Sequence, residues 1–267
     1  MNIFAIIGFL FLVSVVVAGI ITTITPKEYH LFADLPALFL VIGGTLAVGA
    51  ITVQVNKVGV LFKVFFVGLA KGHRINYVRL IQEIMNCSEA YRKGETLPEI
   101  IKKTKDHFLK ESLQLLDDNV IRSEDLFELL EIRAKSMFEH YNEGAMHFKS
   151  LGKFPPAFGL MGTVLGMIAL LSNLGGADAM KSIGPAMGTC LVATFLGIVL
   201  ANVVVLPMSE SLAQSAKELY LKNKIIVIGV RLIAEKTNPM VVAENLNSYL
   251  LPKDRIDWKK AAGLGGK

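Results

Sequence analysis

Four long stretches of the chain contain no Asp, Glu, Lys, Arg or His, and they constrain its fold more than any other feature. They cover residues 1–26, 35–56, 154–177 and 182–209, and each contains at least 22 residues. A helix needs roughly 20 residues to cross a hydrocarbon core about 30 Å thick. Because only helices and closed barrels satisfy the backbone inside a membrane, these stretches predict four transmembrane helices. The expected fold class is an all-α integral membrane protein.

The charged residues divide the chain into four segments. Residues 1–56 and 154–209 are expected to form two transmembrane hairpins, spans one and two and then spans three and four. Residues 57–153 are expected to form a helical cytoplasmic domain, and 210–267 a helical cytoplasmic tail. Of the 28 Lys and Arg residues, 16 lie in 57–153 and ten follow Leu206. Since basic residues are enriched on the cytoplasmic side, both chain termini are predicted to be cytoplasmic.

Local signals indicate where several helices begin and end. Ser123, followed by two acidic residues, is a good helix start, because a hydroxyl caps the first turn and acids favour its positive end. The sequence Asp117-Asp118-Asn119 predicts the end of the preceding helix. In the tail, a helix is expected from about residue 210 to 234, fraying afterwards through Thr237-Asn238-Pro239.

The chain lacks recognisable enzyme motifs, and we expect neither catalysis nor a cofactor. Residues 175–182 resemble a phosphate-binding loop, but Met180 occupies a position where that loop requires glycine. His140 and His147 have no converging carboxylates or cysteines, so they are interpreted as surface residues. The net charge of +5 accompanies four apolar stretches, which favours a membrane protein over a nucleic-acid binder.

Small residues recur at a spacing of four along one side of each of spans three and four. Such faces let transmembrane helices approach closely. The two faces comprise Gly159, Gly162, Thr163, Gly166 and Ala169 in span three, and Cys190, Ala193, Thr194, Gly197 and Ala201 in span four.

Thr163 and Thr194 are the candidate site residues on these faces. Each hydroxyl could simply bond the carbonyl four residues earlier in its own helix. Alternatively, the two could line a polar path and contact a hard cation such as sodium. The spans contain no acid, so an ion path would need a carboxylate from a partner helix.

Prolines flank the same pair of spans. Pro155-Pro156 begins span three, where a missing N–H costs little. Pro207 lies at the end of span four. It either stops the helix there or loosens the join to the tail, so that movement in the membrane can reach the cytoplasm.

These residues together resemble the MotA/PomA family, the A subunits of flagellar motor stators. The similarity covers nearly the whole chain. The matching segments are 41–45, 156–163, 183–187, 193–197 with Pro207, and 249–255.

The resemblance implies an ion-driven torque generator in the bacterial inner membrane. In that family five A subunits surround two MotB/PomB-type B subunits, which are single-span proteins anchored to peptidoglycan and carry the ion-binding aspartate. The transported ion is Na⁺ or H⁺, and threonine at position 163 is typical of sodium-driven members. Thr194, Pro156 and Pro207 match family positions in the ion path and in conformational coupling.

The resemblance also implies a rotor-facing surface that contacts the rotor protein FliG. Arg92 and Lys93 match the basic pair of the family, and Glu99 matches the acid that follows. Here the spacing is one residue shorter and Pro98 precedes the acid.

Two other functions are compatible with the sequence. A TolQ/ExbB-like motor subunit would energise a non-flagellar process, although such proteins usually have three spans. A non-conducting scaffold or a transporter would also use four spans, but the inverted repeats and broken helices of transporters are not evident.

Overall fold

The computed structural model describes residues 3–23, 32, 34–52, 75–119, 122–173, 179–252 and 255–256. Within this part of the chain all the regular secondary-structure elements are helices. In chain order they are α1 (Ile3–Thr23), α2 (Leu35–Thr52), α3 (Tyr77–Arg92), α4 (Leu97–Lys103), α5 (His107–Asp118), α6 (Ser123–Leu151), α7 (Phe154–Asn173), α8 (Ala179–Val199), α9 (Leu206–Ala234) and α10 (Pro239–Asn247). The predicted all-α fold is therefore confirmed.

Two π-helical segments interrupt the long helices. The first, Phe39–Gly43, lies inside α2. The second, Leu200–Val205, joins α8 to α9 without a break. Such segments are rare and often occur at functional sites.

The chain forms two compact units. The first contains residues 1–74 and 141–214, and the second contains 75–140 and 215–267. These units are defined by contacts rather than by membrane boundaries, so the predicted division at residues 56, 153 and 209 stays a prediction.

Three helical stretches are long and apolar enough to cross a membrane. Within the described residues they are Leu35–Thr52, Asp125–Ser172 and Ile183–Ala234. In α1 a shorter apolar stretch, Ile7–Thr22, is described. The chain therefore has the helices of a membrane protein, and the count of four spans stays a prediction.

The second unit has its own hydrophobic core, to which α3, α5 and α9 contribute. Ile81 and Ile84 of α3, Leu109 of α5, and Ile225 and Ile226 of α9 are fully buried. Burying one such side chain stabilises a fold by about 1.5–3 kcal/mol. This core fixes α9 against α3 and α5 and thereby positions their charged residues.

Two predicted helix boundaries are confirmed. α6 begins at Ser123. α5 ends at Asp118, and Asn119 follows with a φ of 48°. Asparagine tolerates this left-handed conformation better than most residues, which explains why the helix ends there.

The prediction that the tail frays after residue 234 is wrong. The Asn238 side chain accepts a hydrogen bond from the Met240 N–H at 3.0 Å, and Pro239 occupies the first turn of α10. Both residues are typical of a helix start. Asn247 is the last residue of α10, and its side-chain amide accepts a hydrogen bond from the Ile256 N–H and donates one to the Ile256 carbonyl, each at 2.9 Å.

The segment that contained the rejected phosphate-loop pattern includes residues 174–178, which lie outside the described residues.

Cys87 is buried in the core of the second unit. Burial raises the pKa of its thiol, although a side-chain hydrogen bond to Thr104 acts in the opposite direction. A raised pKa keeps the thiol protonated at neutral pH, and the protonated form is a poor nucleophile.

We expect Cys87 to resist alkylation in the folded protein. In a Cys190→Ala background at pH 7, a maleimide should label Cys87 only after unfolding, because the thiol is both buried and protonated. A variant with an additional Ser136→Cys substitution, at an exposed position of α6, provides the accessible control. Labelling of Cys87 as fast as that of the control, measured by mass spectrometry, would contradict the buried position.

Candidate functional site

The predicted small-residue faces of α7 and α8 pack directly against each other. A Cβ atom added to Gly159 would lie 2.8 Å from the Ala193 carbonyl oxygen and 3.0 Å from Thr194 Cα. A Cβ on Gly162 would lie 2.7 Å from Ala193 Cβ. Because these neighbours are backbone or methyl atoms that cannot move aside easily, glycine is required for this approach.

The same packing continues towards both ends of the helix pair. A Cβ on Gly166 would collide with Cys190 Sγ, and one on Gly197 would collide with the Pro155 carbonyl oxygen. Gly197 also lies close to Pro156, whose Cα would be 3.1 Å from the added atom. The proline pair at the start of α7 is thus held against the C-terminal end of α8.

Four oxygen atoms converge where the two helices are closest. The hydroxyls of Thr163 and Thr194 are hydrogen-bonded to each other. Thr163 Oγ1 lies 3.2 Å from the Gly159 carbonyl oxygen and 3.1 Å from that of Cys190. Thr194 Oγ1 lies 3.3 Å and 3.5 Å from the same two carbonyls. We call these four residues the threonine cluster.

Of the two alternatives that the sequence leaves open for the threonines, the local hydrogen bond is present, and the polar path stays a prediction. Each hydroxyl reaches the carbonyl four residues earlier in its own helix, and each also reaches the neighbouring helix. Local bonding alone therefore does not account for the cluster. Both threonine residues are half-buried, so the cluster is sheltered without being sealed off.

The chemistry of the threonine cluster is that of neutral oxygens. Hydroxyl and carbonyl oxygens suit hard cations. No group of three or more His, Cys, Asp or Glu side chains among the described residues could hold a metal ion. The oxygen types of the cluster therefore suit a hard cation, but the cluster supplies no compensating charge.

Pro207 does not stop the helix, because α9 continues from Leu206 to Ala234. Proline has no N–H, and its ring clashes with the carbonyl four residues earlier. Directly before it the helix widens into the π-helical segment, in which the Leu206 N–H bonds the Ala201 carbonyl five residues earlier. The helix-stop interpretation is wrong, and an altered hydrogen-bond register marks the join instead.

Sequence reasoning did not identify Asn202, which lies in this π-helical segment. Its side-chain amide donates to the Ile198 carbonyl at 2.9 Å, and the residue is exposed. The signal available in the sequence was that Asn202 is the one amide side chain in residues 182–209, the longest charge-free stretch.

The three predicted rotor-facing residues lie around the connection between α3 and α4. Arg92 is the exposed last residue of α3. Lys93 pairs with Glu89 at 2.6 Å, and this hydrogen bond raises the pKa of the lysine. Glu99 Oε2 accepts a hydrogen bond from the Thr96 N–H at 3.2 Å, so its carboxylate helps to cap α4. Sequence reasoning missed this structural role, although a threonine followed three residues later by a glutamate is its usual signature.

Comparison with known proteins agrees with the motifs. The sequence model of the MotA/TolQ/ExbB proton channel family matches residues 100–224. Motility protein A of Borreliella burgdorferi is 29% identical, over 90% of this chain and 91% of its own length. Chemotaxis protein PomA of Vibrio alginolyticus is 28% identical, over 91% of each chain.

The fold has a counterpart in the flagellar MotAB stator complex from Bacillus subtilis. One chain of that structure is 25% identical, with a TM-score of 0.81, covering 97% of this chain and 98% of its own. The resemblance stated from the motifs is confirmed.

Replacing Gly159 by alanine should separate α7 from α8. Overpacking of this kind typically costs about 1–3 kcal/mol. Gly188→Ala in α8 is the matched control, because nothing lies within 4 Å of its added Cβ and alanine favours a helix by up to about 1 kcal/mol. Thermal unfolding of the detergent-solubilised chain should show a lower midpoint for the Gly159 variant only. Equal midpoints for both variants would contradict the close contact.

Proposed function

We propose that this chain, a relative of the MotA/TolQ/ExbB proton channels, is the A subunit of a flagellar motor stator. Its function is to couple cation flow through the bacterial inner membrane to rotation of the flagellum. The threonine cluster is the observation that carries this proposal, because it offers oxygen ligands at a close helix contact within the apolar stretches. The matches to Motility protein A and PomA support the same conclusion.

The ion-binding carboxylate comes from a partner. The four charge-free stretches contain no acid, and a cation is poorly stabilised in the membrane without a counter-charge. A MotB/PomB-type subunit would supply an aspartate on its single transmembrane helix. Thr163 and Thr194 would replace part of the hydration shell of the ion while it binds and leaves that aspartate.

Neutralisation of the partner aspartate drives the movement. A charged carboxylate inside the membrane is costly, and ion binding removes that cost. The two states of the aspartate therefore favour different positions against α7 and α8. Pro156, held near Gly197, and Pro207, next to the π-helical segment, would convert this difference into movement of α9.

The proposed assembly is a homopentamer around two B subunits. Four spans would place both termini on the same side of the membrane, and the positions of the basic residues favour the cytoplasmic side. Arg92, Lys93 and Glu99 would then contact FliG on the rotor. The alternative function is that of a TolQ/ExbB-like motor subunit, which energises a non-flagellar process. Rotation of a flagellum by this chain would distinguish the stator function from this alternative.

Sodium is the proposed coupling ion. Stator-deleted cells carrying this chain and its B subunit should swim in sodium and stop when potassium replaces sodium at fixed pH. Thr163→Ala removes one oxygen ligand of the ion. Losing one such group typically weakens binding by about 1 kcal/mol. The sodium concentration for half-maximal speed should therefore rise several-fold.

Thr52→Ala is the control for that series. The Thr52 hydroxyl donates to the Val48 carbonyl of its own helix at 2.8 Å, so its removal should leave the sodium dependence unchanged. Swimming that persists in potassium would favour proton coupling. Equal sodium dependence of Thr163→Ala and wild type would remove the ion role of Thr163.

The capping and rotor-facing roles of Glu99 can be separated by two substitutions. Glutamine keeps a side-chain oxygen for the Thr96 N–H but removes the charge, whereas alanine removes both. We expect Glu99→Gln to lower torque at unchanged thermal stability, and Glu99→Ala to lower both. Bead rotation and thermal unfolding measure the two effects. Normal torque with glutamine would show that the carboxylate serves only as a cap.

A further inference from the structure

The short loop between α4 and α5 is tied to α9 by an ion pair. Asp106 is the last residue of this loop, and its Oδ2 atom lies 2.8 Å from Lys222 Nζ. Its other carboxylate oxygen accepts the N–H groups of Phe108 at 3.0 Å and Leu109 at 3.2 Å. One carboxylate thus caps α5 and also binds α9.

The same loop is held from a second direction by α3. Glu83 Oε1 accepts the Lys105 N–H at 2.5 Å and the Asp106 N–H at 3.4 Å. At the start of the loop, the Thr104 hydroxyl donates to the Ile100 carbonyl at 2.9 Å. The loop therefore has little freedom to move independently of α3 and α9.

The ion pair is more sheltered than the other ion pairs near the predicted rotor-facing residues. The Lys222 and Asp106 side chains are 16% and 19% exposed. In the Lys103–Glu95 pair the values are 68% and 38%. Exposed pairs contribute little and are screened by salt, whereas a sheltered pair resists separation more strongly.

Lys222 lies on the helix that contains Pro207. α9 is one helix from Leu206 to Ala234, and an α-helix transmits rotation along its axis because each turn is hydrogen-bonded to the next. Asp106 lies three residues after the end of α4 at Lys103, and α4 carries the exposed residues Glu99 and Lys103.

We propose that the Lys222–Asp106 ion pair is the link through which movement of α9 displaces α4 and its exposed charges. Lys222 and Asp106 are positioning residues in this inference, which rests on the proposed stator function. The hydrophobic core holds α9 near α5, but apolar contacts are not directional. The ion pair and the cap on the same carboxylate fix the direction in which α5 and the adjoining loop follow α9.

Two near-isosteric substitutions remove the pair and spare the cap. Asp106→Asn keeps an oxygen for the Phe108 and Leu109 N–H groups, and Lys222→Met keeps the aliphatic stem. The double variant contains neither charge, so no unpaired charge is left in the sheltered position. Lys135→Met, which breaks the exposed pair with Glu139 on α6, is the control.

The experiment measures torque by bead rotation and sodium influx into vesicles for each variant, assembled with the B subunit. We expect both single variants and the double variant to lose at least threefold in torque, with influx within twofold of wild type. The control should keep at least half of the wild-type torque. Thermal unfolding of the double variant is expected to match wild type.

Recovery of torque in the double variant would overturn the inference, since the pair would then serve only to neutralise a sheltered charge. A parallel loss of influx and torque would also overturn it, because the pair would then act on the ion path rather than on coupling. If the wild-type chain itself drives no rotation, the proposed stator function fails and this inference fails with it. If the wild-type chain drives rotation and all variants have normal torque, this inference is overturned while the proposed stator function stands.

Discussion

The close approach of α7 and α8 is the constraint on which the candidate site depends. Gly159 brings the backbone of α7 to Ala193 and Thr194, and only at this separation can the two threonine hydroxyls meet. Interhelical packing in membranes relies on small residues because lipid provides no hydrophobic driving force between helices. The threonine cluster and the helix packing therefore depend on the same glycine.

Local sequence signals predicted the features that are set within a single helix or between adjacent helices. The charge-free stretches predicted long apolar helices, and the spacing of small residues predicted the α7–α8 face. One signal was misread and another was left open, because one residue type can serve two purposes. Pro207 is compatible with a helix end or a widened turn, and Asn238-Pro239 with fraying or a helix start. Only the hydrogen-bond partners distinguish these cases.

Contacts between distant parts of the chain were beyond sequence reasoning. Lys222 and Asp106 are separated by 116 positions, and neither lies in a motif that announces a partner. Surface charges are usually solvated, and no spacing links Lys222 to Asp106, whereas Glu89 and Lys93 are separated by the four positions typical of a helical ion pair. Likewise, the bond between Thr163 and Thr194 follows from the register of two helices, which the spacing of small residues restricts to a face but not to a single contact.

The threonine cluster contains four oxygens but only two hydroxyl protons. One hydroxyl donates to the other, which then donates to a carbonyl, and the order of donation can be reversed by rotating two C–O bonds. The hydroxyl contribution to the dipole of the cluster can therefore reverse while all heavy atoms stay in place. Such a cluster can present either a lone pair or an O–H at the same position. A rigid helix contact thus contains two protons whose positions are not fixed by the packing around them.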